Sequence, residues 1–484
     1  MRADFLSIGI HPFSGTNVNN NDNQPVGRIL AALSICLTLS ACGSGGGGSA
    51  DAPRTSALGT APAAQTVQAA SVQATLEVPR SLADAAPFNE TRSLNVPPGF
   101  GIRLWARVSG ARFLARAPNG DILVSVPGEG KVVLLRNRPD DVPEQFTFAS
   151  GLRKPHDMVF RTIGDTTYVY IAETHRVTRS VYQSGQTASA ERQVVVDNLP
   201  DSSTPELQGS YGHELKNIAF GPDNKLYVSI ASSCNACTTD NDSNPVRGAI
   251  HQYNADGSDA RLYARGLRNA EGLDFLPGTD RLWITVNNRD DISFPLDTDF
   301  DGDGVNDLGR IVPGFTDDNP PELFTAVRDG GNYGWPFCNS VPNAAMSNLE
   351  LRRDHDNNRD GARLDCALAD RASKGIQAHA APLGFSFLHD SNAPAAYRKG
   401  AVVAQHGCWN CTTLKAGYKV TYFPLDDAGN AGAEVDLVSG FVTDAVGRRF
   451  WGRPVDVIAD AGGGILISDD YAGAVYQLYQ KGTL

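Results

Sequence analysis

One phrase keeps returning along this chain: a turn containing Gly, Asp or Asn, then an apolar run ending in small or polar residues. It reads PNGDILVSV at 118–126, GDTTYVYIAE at 164–173, PDNKLYVSI at 222–230, PGTDRLWITV at 277–286, YRKGAVVAQ at 397–405 and AGGGILISDD at 461–470. Some copies lead into a further strand-like run, KVVLLR after the first and AVYQLY after the last, and no long amphipathic helix competes for the chain. Turn-strand units recurring every fifty residues or so, about one per small antiparallel sheet, predict an all-β fold, a six-bladed β-propeller. The strand around 101–107, within PPGFGIRLWARV, is expected to pair into the last blade and close the ring, which removes an open sheet edge. A pair of β-sandwiches is the alternative, although sandwiches do not restate one phrase this regularly. The fourth-to-fifth interval is about twice the others and predicts a long insertion, since long loops in compact domains are usually functional. It holds an acidic run, the segment DGGNYGWPFC and a polar stretch to about Gly375.

The 484 residues carry a formal net charge of −12, with 41% hydrophobic and 20% charged residues. That composition supports a large core and argues against nucleic acid as a partner, which needs clustered Lys and Arg. Near the N-terminus Arg28 precedes a short apolar run at 29–39 and then Leu39-Ser40-Ala41-Cys42. A charge, a short apolar core and small residues have the shape of a secretory signal, too short for a spanning helix. Small residues ending on cysteine resemble the lipobox of bacterial lipoproteins, which implies cleavage before Cys42 and a lipid anchor on its thiol; an ordinary signal peptide is the alternative. The polar residues before Arg28 suit an n-region poorly and point to a start downstream of Met1. Residues 1–42 are thus expected to be an address label and 43–90, rich in Gly, Ser, Ala and Thr, a flexible linker. Residues 91–484 should form the propeller. The expected location is the cell envelope, periplasmic or as an outer-membrane lipoprotein.

Export changes the meaning of the cysteines. Apart from Cys36 and Cys42 six remain, Cys234, Cys237, Cys338, Cys366, Cys408 and Cys411. An even number in an oxidising compartment points to disulfides, with a four-thiolate zinc site from the two Cys-x-x-Cys pairs as the alternative. Neither pair is followed by histidine, so the chain has no covalent haem c site.

The segment GHELKNIAFGPD places His213 just ahead of an apolar strand, where a loop ring backed by a sheet suits a general base. A single loop histidine means little alone; its company decides. GHELKNIAFGPDNKLYVS, GLRNAEGLDF, LWITVNNRD, GGNYGWP, AQHGCWN and GRPVDV stand in the order of the glucose/sorbosone dehydrogenase family's motifs, and the chain from about 95 to 480 resembles that family. The resemblance implies a six-bladed propeller that uses pyrroloquinoline quinone and calcium, with His213 as general base. It implies that Arg268 and Asn269 meet the quinone, where a guanidinium can bond the oxygen gaining charge as hydride arrives. Arg453 would meet a cofactor carboxylate, and His406 falls in a cofactor-binding motif. Tyr333 and Trp335 offer flat faces to a tricyclic ring, unless they are core. The carbonyls of Asn288 and Arg289 would face an ion that also touches the cofactor.

A second calcium loop is visible in the residues themselves. From Asp297 to Asp307 acids alternate with glycines, so Asp299, Asp301, Asp303 and Asp307 are candidate ligands, although Arg310 stands where an EF-hand has its bidentate Glu. The family commonly reads HGSWNR where this chain has His406-Gly407-Cys408-Trp409-Asn410-Cys411. Taking those two cysteines as a local disulfide leaves Cys234 with Cys237 and Cys338 with Cys366. The resemblance therefore implies an exported dehydrogenase of a sugar or sugar aldehyde, an aldose or sorbosone, passing electrons to a separate cytochrome or quinone. Calcium-dependent lactone hydrolysis and a non-catalytic binding propeller are the alternatives.

Overall fold

In a computed structural model of the protein the described residues are 71–138, 141–389 and 391–482. The expected signal, lipobox and most of the expected linker lie outside them. Among the described residues six sheets each carry one copy of the recurring phrase. In every copy the turn is the hairpin between a blade's first and second strands, and the apolar run is the second strand. The first strands are Leu114–Arg116, Met158–Ile163, Asn217–Phe220, Asn269–Phe275, Pro382–Phe387 and Pro454–Ala459. Each touches the first strand of the next blade, and the sixth touches the first, so they form a closed inner ring.

The second strands are Ile122–Val126, Thr166–Ala172, Lys225–Ile230, Leu282–Asn287, Gly400–Gln405 and Ile465–Asp469. Several are buried from end to end rather than on alternate residues. A strand flanked by blades on both faces has no solvated side, which is why these runs are continuously apolar. Between the fourth and fifth blades Phe324 packs on Trp283 at 4.7 Å and on Phe423 at 5.0 Å between ring centroids. Trp283 is fully buried, so truncating it to alanine should cost about 3–5 kcal/mol.

Phe100–Arg107 pairs antiparallel with Ala474–Gln480 and so supplies the outer strand of the last blade from the start of the propeller. The ring closes as expected. The expected linker is shorter than 43–90: Val72–Thr75 pairs with Ser93–Val96, and Glu77 exchanges backbone hydrogen bonds with Ile102 and Leu104 at 3.0 and 2.8 Å. The long interval lies within the fourth blade. Residues 288–321 join its second and third strands, and 328–373 join its third to its fourth, Lys374–Ile376. There Gly331–Asn332 adds in parallel to the edge of the third blade, and a Cys338–Cys366 disulfide ties the rest.

This winding has one consequence for chemistry. All first strands start, and all second strands end, at the same mouth of the ring. Arg112, His156, His213, Arg268, His379 and Arg453 each precede a first strand; Ser232, Asp290, His406 and Asp470 each follow a second one.

Candidate active site

His213 lies at this mouth, half-buried, and lines a cavity of about 450 Å³ with Pro127, Gly128, Tyr211 and Glu271. Its Nδ1 is 3.0 Å from both the carbonyl and the hydroxyl oxygen of Ser232. A carbonyl only accepts, so Nδ1 carries the proton and Nε2 is left as a lone pair. Burial, helped by the charge of Arg268, pushes the imidazole down to about 4, so the ring is neutral near pH 7. A neutral ring of fixed tautomer is what a general base requires.

Arg268 is buried one step away, its backbone carbonyl accepting from Ser232 N at 2.8 Å. Its Nε donates to the carbonyl of Asn235 at 3.0 Å, and Nη2 donates to Asn235 Oδ1 at 3.0 Å and to Asp290 Oδ2 at 2.9 Å. The other Asp290 oxygen lies 3.3 Å from His379 Nδ1 and accepts from Asn410 Nδ2 at 3.1 Å. Burial alone would raise Asp290, but the His379 hydrogen bond and the Arg268 charge outweigh it and keep the carboxylate ionised. His379 Nε2 is 2.7 Å from the carbonyl of Thr316, so both its nitrogens face acceptors. Burial opposes its charge; the Asp290 bond and the Glu322 carboxyl overcome that and lift the imidazole above its usual range.

The other half of the mouth belongs to the fifth, sixth and first blades. Arg453 donates from Nε and Nη2 to the carbonyls of His406 and Gly407, at 2.9 Å each. His406 Nε2 lies 2.8 Å from Asp470 Oδ1, and Arg112 Nη1 donates to Asp470 Oδ2 at 2.9 Å. Arg112 also reaches His156 Nε2 at 3.3 Å, which must accept because a guanidinium only donates. Arg112, Arg453, Asp470 and Tyr471 line a cavity of about 390 Å³ that shares Pro127 and Gly128 with the cavity of His213. The two halves therefore meet across that turn.

The TrAA12-like family profile matches residues 94–481, nearly all of the propeller. This chain belongs to the TrAA12-like family. An uncharacterised protein of Borreliella burgdorferi is 24% identical over 401 residues, covering 81% of this chain and 92% of its own. A calcium structure of Trichoderma reesei Carbohydrate-Active Enzymes Family AA12 superposes with a TM-score of 0.65 at 20% identity, over 80% of this chain and 96% of that one. The holo form of the pyranose dehydrogenase PQQ domain from Coprinopsis cinerea gives 0.64 at 17%, over 83% and 98%. At these identities the solved structures speak for the propeller alone.

Within this TrAA12-like propeller the expected site residues divide. His213, Arg268, His406 and Arg453 share the mouth. Tyr333 does not: it is core beside the third and fourth blades, its hydroxyl 3.2 Å from the carbonyl of Ala326 and 3.1 Å from Arg328 N. Trp335 is buried too, its ring against Gly248 and its Nε1 donating to the carbonyl of Asn235 at 3.1 Å. Both are corrected to structural roles, and Trp335 meets the site through the Asn235 carbonyl. Asn269 turns inward and donates to Glu271 Oε1 at 3.0 Å. The side chains of Asn288 and Arg289 are committed, the first to the carbonyl of Pro321 at 2.5 Å and the second to Asp354 and Asp356. Asn288 N donates to Glu322, which burial pushes up to about 7. In the acidic loop Asp299, Asp301 and Asp307 bring one oxygen each within 4.8 Å of the others. Asp303 is outside that group.

Asn235, Asp290, His379, Asn410 and Arg112 escaped the sequence reading as site residues. A signal for them existed: each lies just outside a first or second strand, on the side where the strands open to the mouth.

Proposed function

We propose that the chain is an exported dehydrogenase that oxidises a sugar or sugar aldehyde using pyrroloquinoline quinone and calcium. The observation that carries this is the pair at the mouth: a neutral His213 with Nε2 unprotonated, beside the fixed guanidinium of Arg268. Family membership supports it, as do relatives of the same fold described as a holo PQQ domain and as a calcium structure.

The donor set fits the cofactor. Pyrroloquinoline quinone carries carboxylates and quinone oxygens, and the mouth offers the guanidinium groups of Arg112, Arg268 and Arg453. The buried side-chain oxygen of Asn287 has no hydrogen-bond partner, as expected of an acceptor shaped for a ligand, a water or a cation. The carbonyls of Asn288 and Arg289 would hold the ion at the cofactor. Asp299, Asp301 and Asp307 would hold a second one. When bound, the quinone supplies the two-electron acceptor for a hydride. His213 Nε2 would take the proton of the substrate hydroxyl as the hydride leaves its carbon, and Arg268 would bond the oxygen that gains charge.

Export is supported by the pairing of all six described cysteines in Cys234–Cys237, Cys338–Cys366 and Cys408–Cys411, the pattern of an oxidising compartment. An anchor on Cys42 and a separate cytochrome or quinone as electron acceptor complete the proposal. Reconstitution tests it: the purified propeller is given calcium and the cofactor, and dye reduction is followed over a panel of sugars and aldehydes. Uptake of the cofactor with substrate-dependent reduction is expected, and no uptake at micromolar concentration ends the proposal.

A further inference from the structure

Two small loops of the same chemistry reach one residue, Asp290, from different blades: one holds its backbone and the other its carboxylate. Cys234-Asn235-Ala236-Cys237 follows the second strand of the third blade, and Cys408-Trp409-Asn410-Cys411 that of the fifth. Each is closed on itself by a disulfide. Asn235 grips residue 290 at two points: its Oδ1 accepts from Asp290 N and its Nδ2 donates to the Asp290 carbonyl, both at 2.8 Å. The same Oδ1 and the Asn235 carbonyl take two donors of Arg268. From the other side Asn410 Nδ2 donates to the Asp290 oxygen that His379 shares.

The Asn410 loop has neither helix nor strand to fix it. Its disulfide and a few outside bonds set its path: Tyr418 OH donates to the Cys408 carbonyl at 2.8 Å, and Arg448 donates to the carbonyls of Trp409 and Cys411. A closed ring leaves such a loop little conformational freedom, so its asparagine arrives in place. An Arg–Asp pair with only each other for company can rock. Here three blades determine where the guanidinium points.

We infer that Asn235 and Asn410 are positioning residues for Arg268, delivered by the two disulfide-closed loops, Asn235 by direct hydrogen bonds and through Asp290, Asn410 through Asp290 alone. Loosening the Cys408–Cys411 loop then frees the guanidinium without removing it. The consequence for turnover rests on the proposed cofactor site; the geometry does not. A displacement of about 1 Å at such a group can cost about 100-fold in rate.

The direct test needs no cofactor. In protein labelled with 15N-arginine, the Arg268 Nε–H resonance is assigned by its loss in Arg268→Lys, and its exchange with water is measured. The Nε–H is held by the Asn235 carbonyl, and Asn410→Ala, or separately Cys408→Ser with Cys411→Ser, should speed its exchange by about tenfold or more, because Asp290 released on the Asn410 side lets the guanidinium rock. In cofactor-loaded protein Asn410→Ala should lower kcat by about tenfold while the sugar KM stays within about twofold and the apoprotein melts as before. Unchanged exchange in Asn410→Ala overturns the inference, as does a loss confined to melting temperature. Should the double serine variant not fold, Asn410→Ala decides alone. Should the wild type take up no cofactor, the proposed function falls and the exchange measurement still decides this inference.

Discussion

The Nδ1 atom of His213 lies 3.0 Å from the carbonyl oxygen of Ser232. The Ser232 hydroxyl, at the same distance, donates its own proton to the Cys234 carbonyl at 2.9 Å and so accepts from the ring as well. Two acceptors on one nitrogen fix the tautomer. Replacing His213 by Ala or Gln removes the base and leaves the guanidinium groups in place. Turnover should fall by about 10²–10⁴-fold while cofactor binding, followed by fluorescence titration, persists. Unchanged turnover would remove His213 from the mechanism.

The same ring predicts a pH profile. Burial pushes His213 down to about 4 and the Arg268 charge pushes in the same direction. The working form is the neutral one, present above that value, so kcat/KM should be level through neutrality and fall as pH drops through about 4. In Arg268→Gln the repulsion is gone and the midpoint should move up, toward the 6.5 of a free imidazole. A midpoint that stays put would mean that Arg268 does not act on the ring.

Much of this was legible in the chain because a propeller repeats itself. The six turn-strand phrases fell on the first hairpin of each blade, and the closing strand at 101–107 paired where its position demanded. His213, Arg268, His406 and Arg453 could be found because motif order carries them. Tyr333 and Trp335 could not be assigned, since a Tyr-Gly-Trp-Pro turn reads alike whether its rings face a ligand or fill a gap between blades. The place of Asn235 and Asn410 just past a second strand could mark them as residues of the mouth, but not what they do there. Their role depends on two loops far apart in sequence meeting at Asp290, and nothing within either loop says so.

Two carboxyls in the central channel, together with that of Glu322, make stability depend on pH. Asp274 and Asp456 are pushed up to about 7 by burial, Asp456 while accepting Leu114 N across to the first blade at 2.8 Å. In the unfolded chain they would titrate near 3.8. Between these values the native state holds protons that the unfolded state has lost, so their contribution falls as pH rises through the window and levels off above about 7. His213 and His406, both pushed down to about 4, act in the opposite sense until the unfolded imidazoles finish titrating above about 7.5, and Lys216, which burial pushes down to about 7, opposes the carboxyls across the same window. The carboxyl contribution is therefore read as a difference between variants: from pH 6.5 to 8 the wild type should lose about 1–2 °C of melting temperature relative to Asp456→Asn. A difference that stays constant over this range, or moves the other way, would show the sign to be wrong.

The acidic loop yields a prediction that does not depend on the cofactor. Asp307 is buried, its oxygens taken by Phe300 N at 2.9 Å and Arg310 Nη1 at 2.7 Å, while Asp299 and Asp301 are exposed. Asp299 accepts from Gly302 N at 2.7 Å and Gly304 N at 2.9 Å, which folds the loop so that three carboxylates face one another. Like charges at that range repel, and an oxygen-seeking divalent ion would turn the repulsion into attraction. Calcium at about a hundred times its dissociation constant would add about 2.7 kcal/mol to stability. Melting curves with calcium and with a chelator should therefore differ by a few degrees, and magnesium, which demands a tighter octahedron, should substitute poorly. In Asp301→Asn the calcium titration midpoint should move to higher concentration by about tenfold, because one of three charged ligands becomes neutral. Wild-type curves that coincide with and without the ion would leave the loop as a solvated turn.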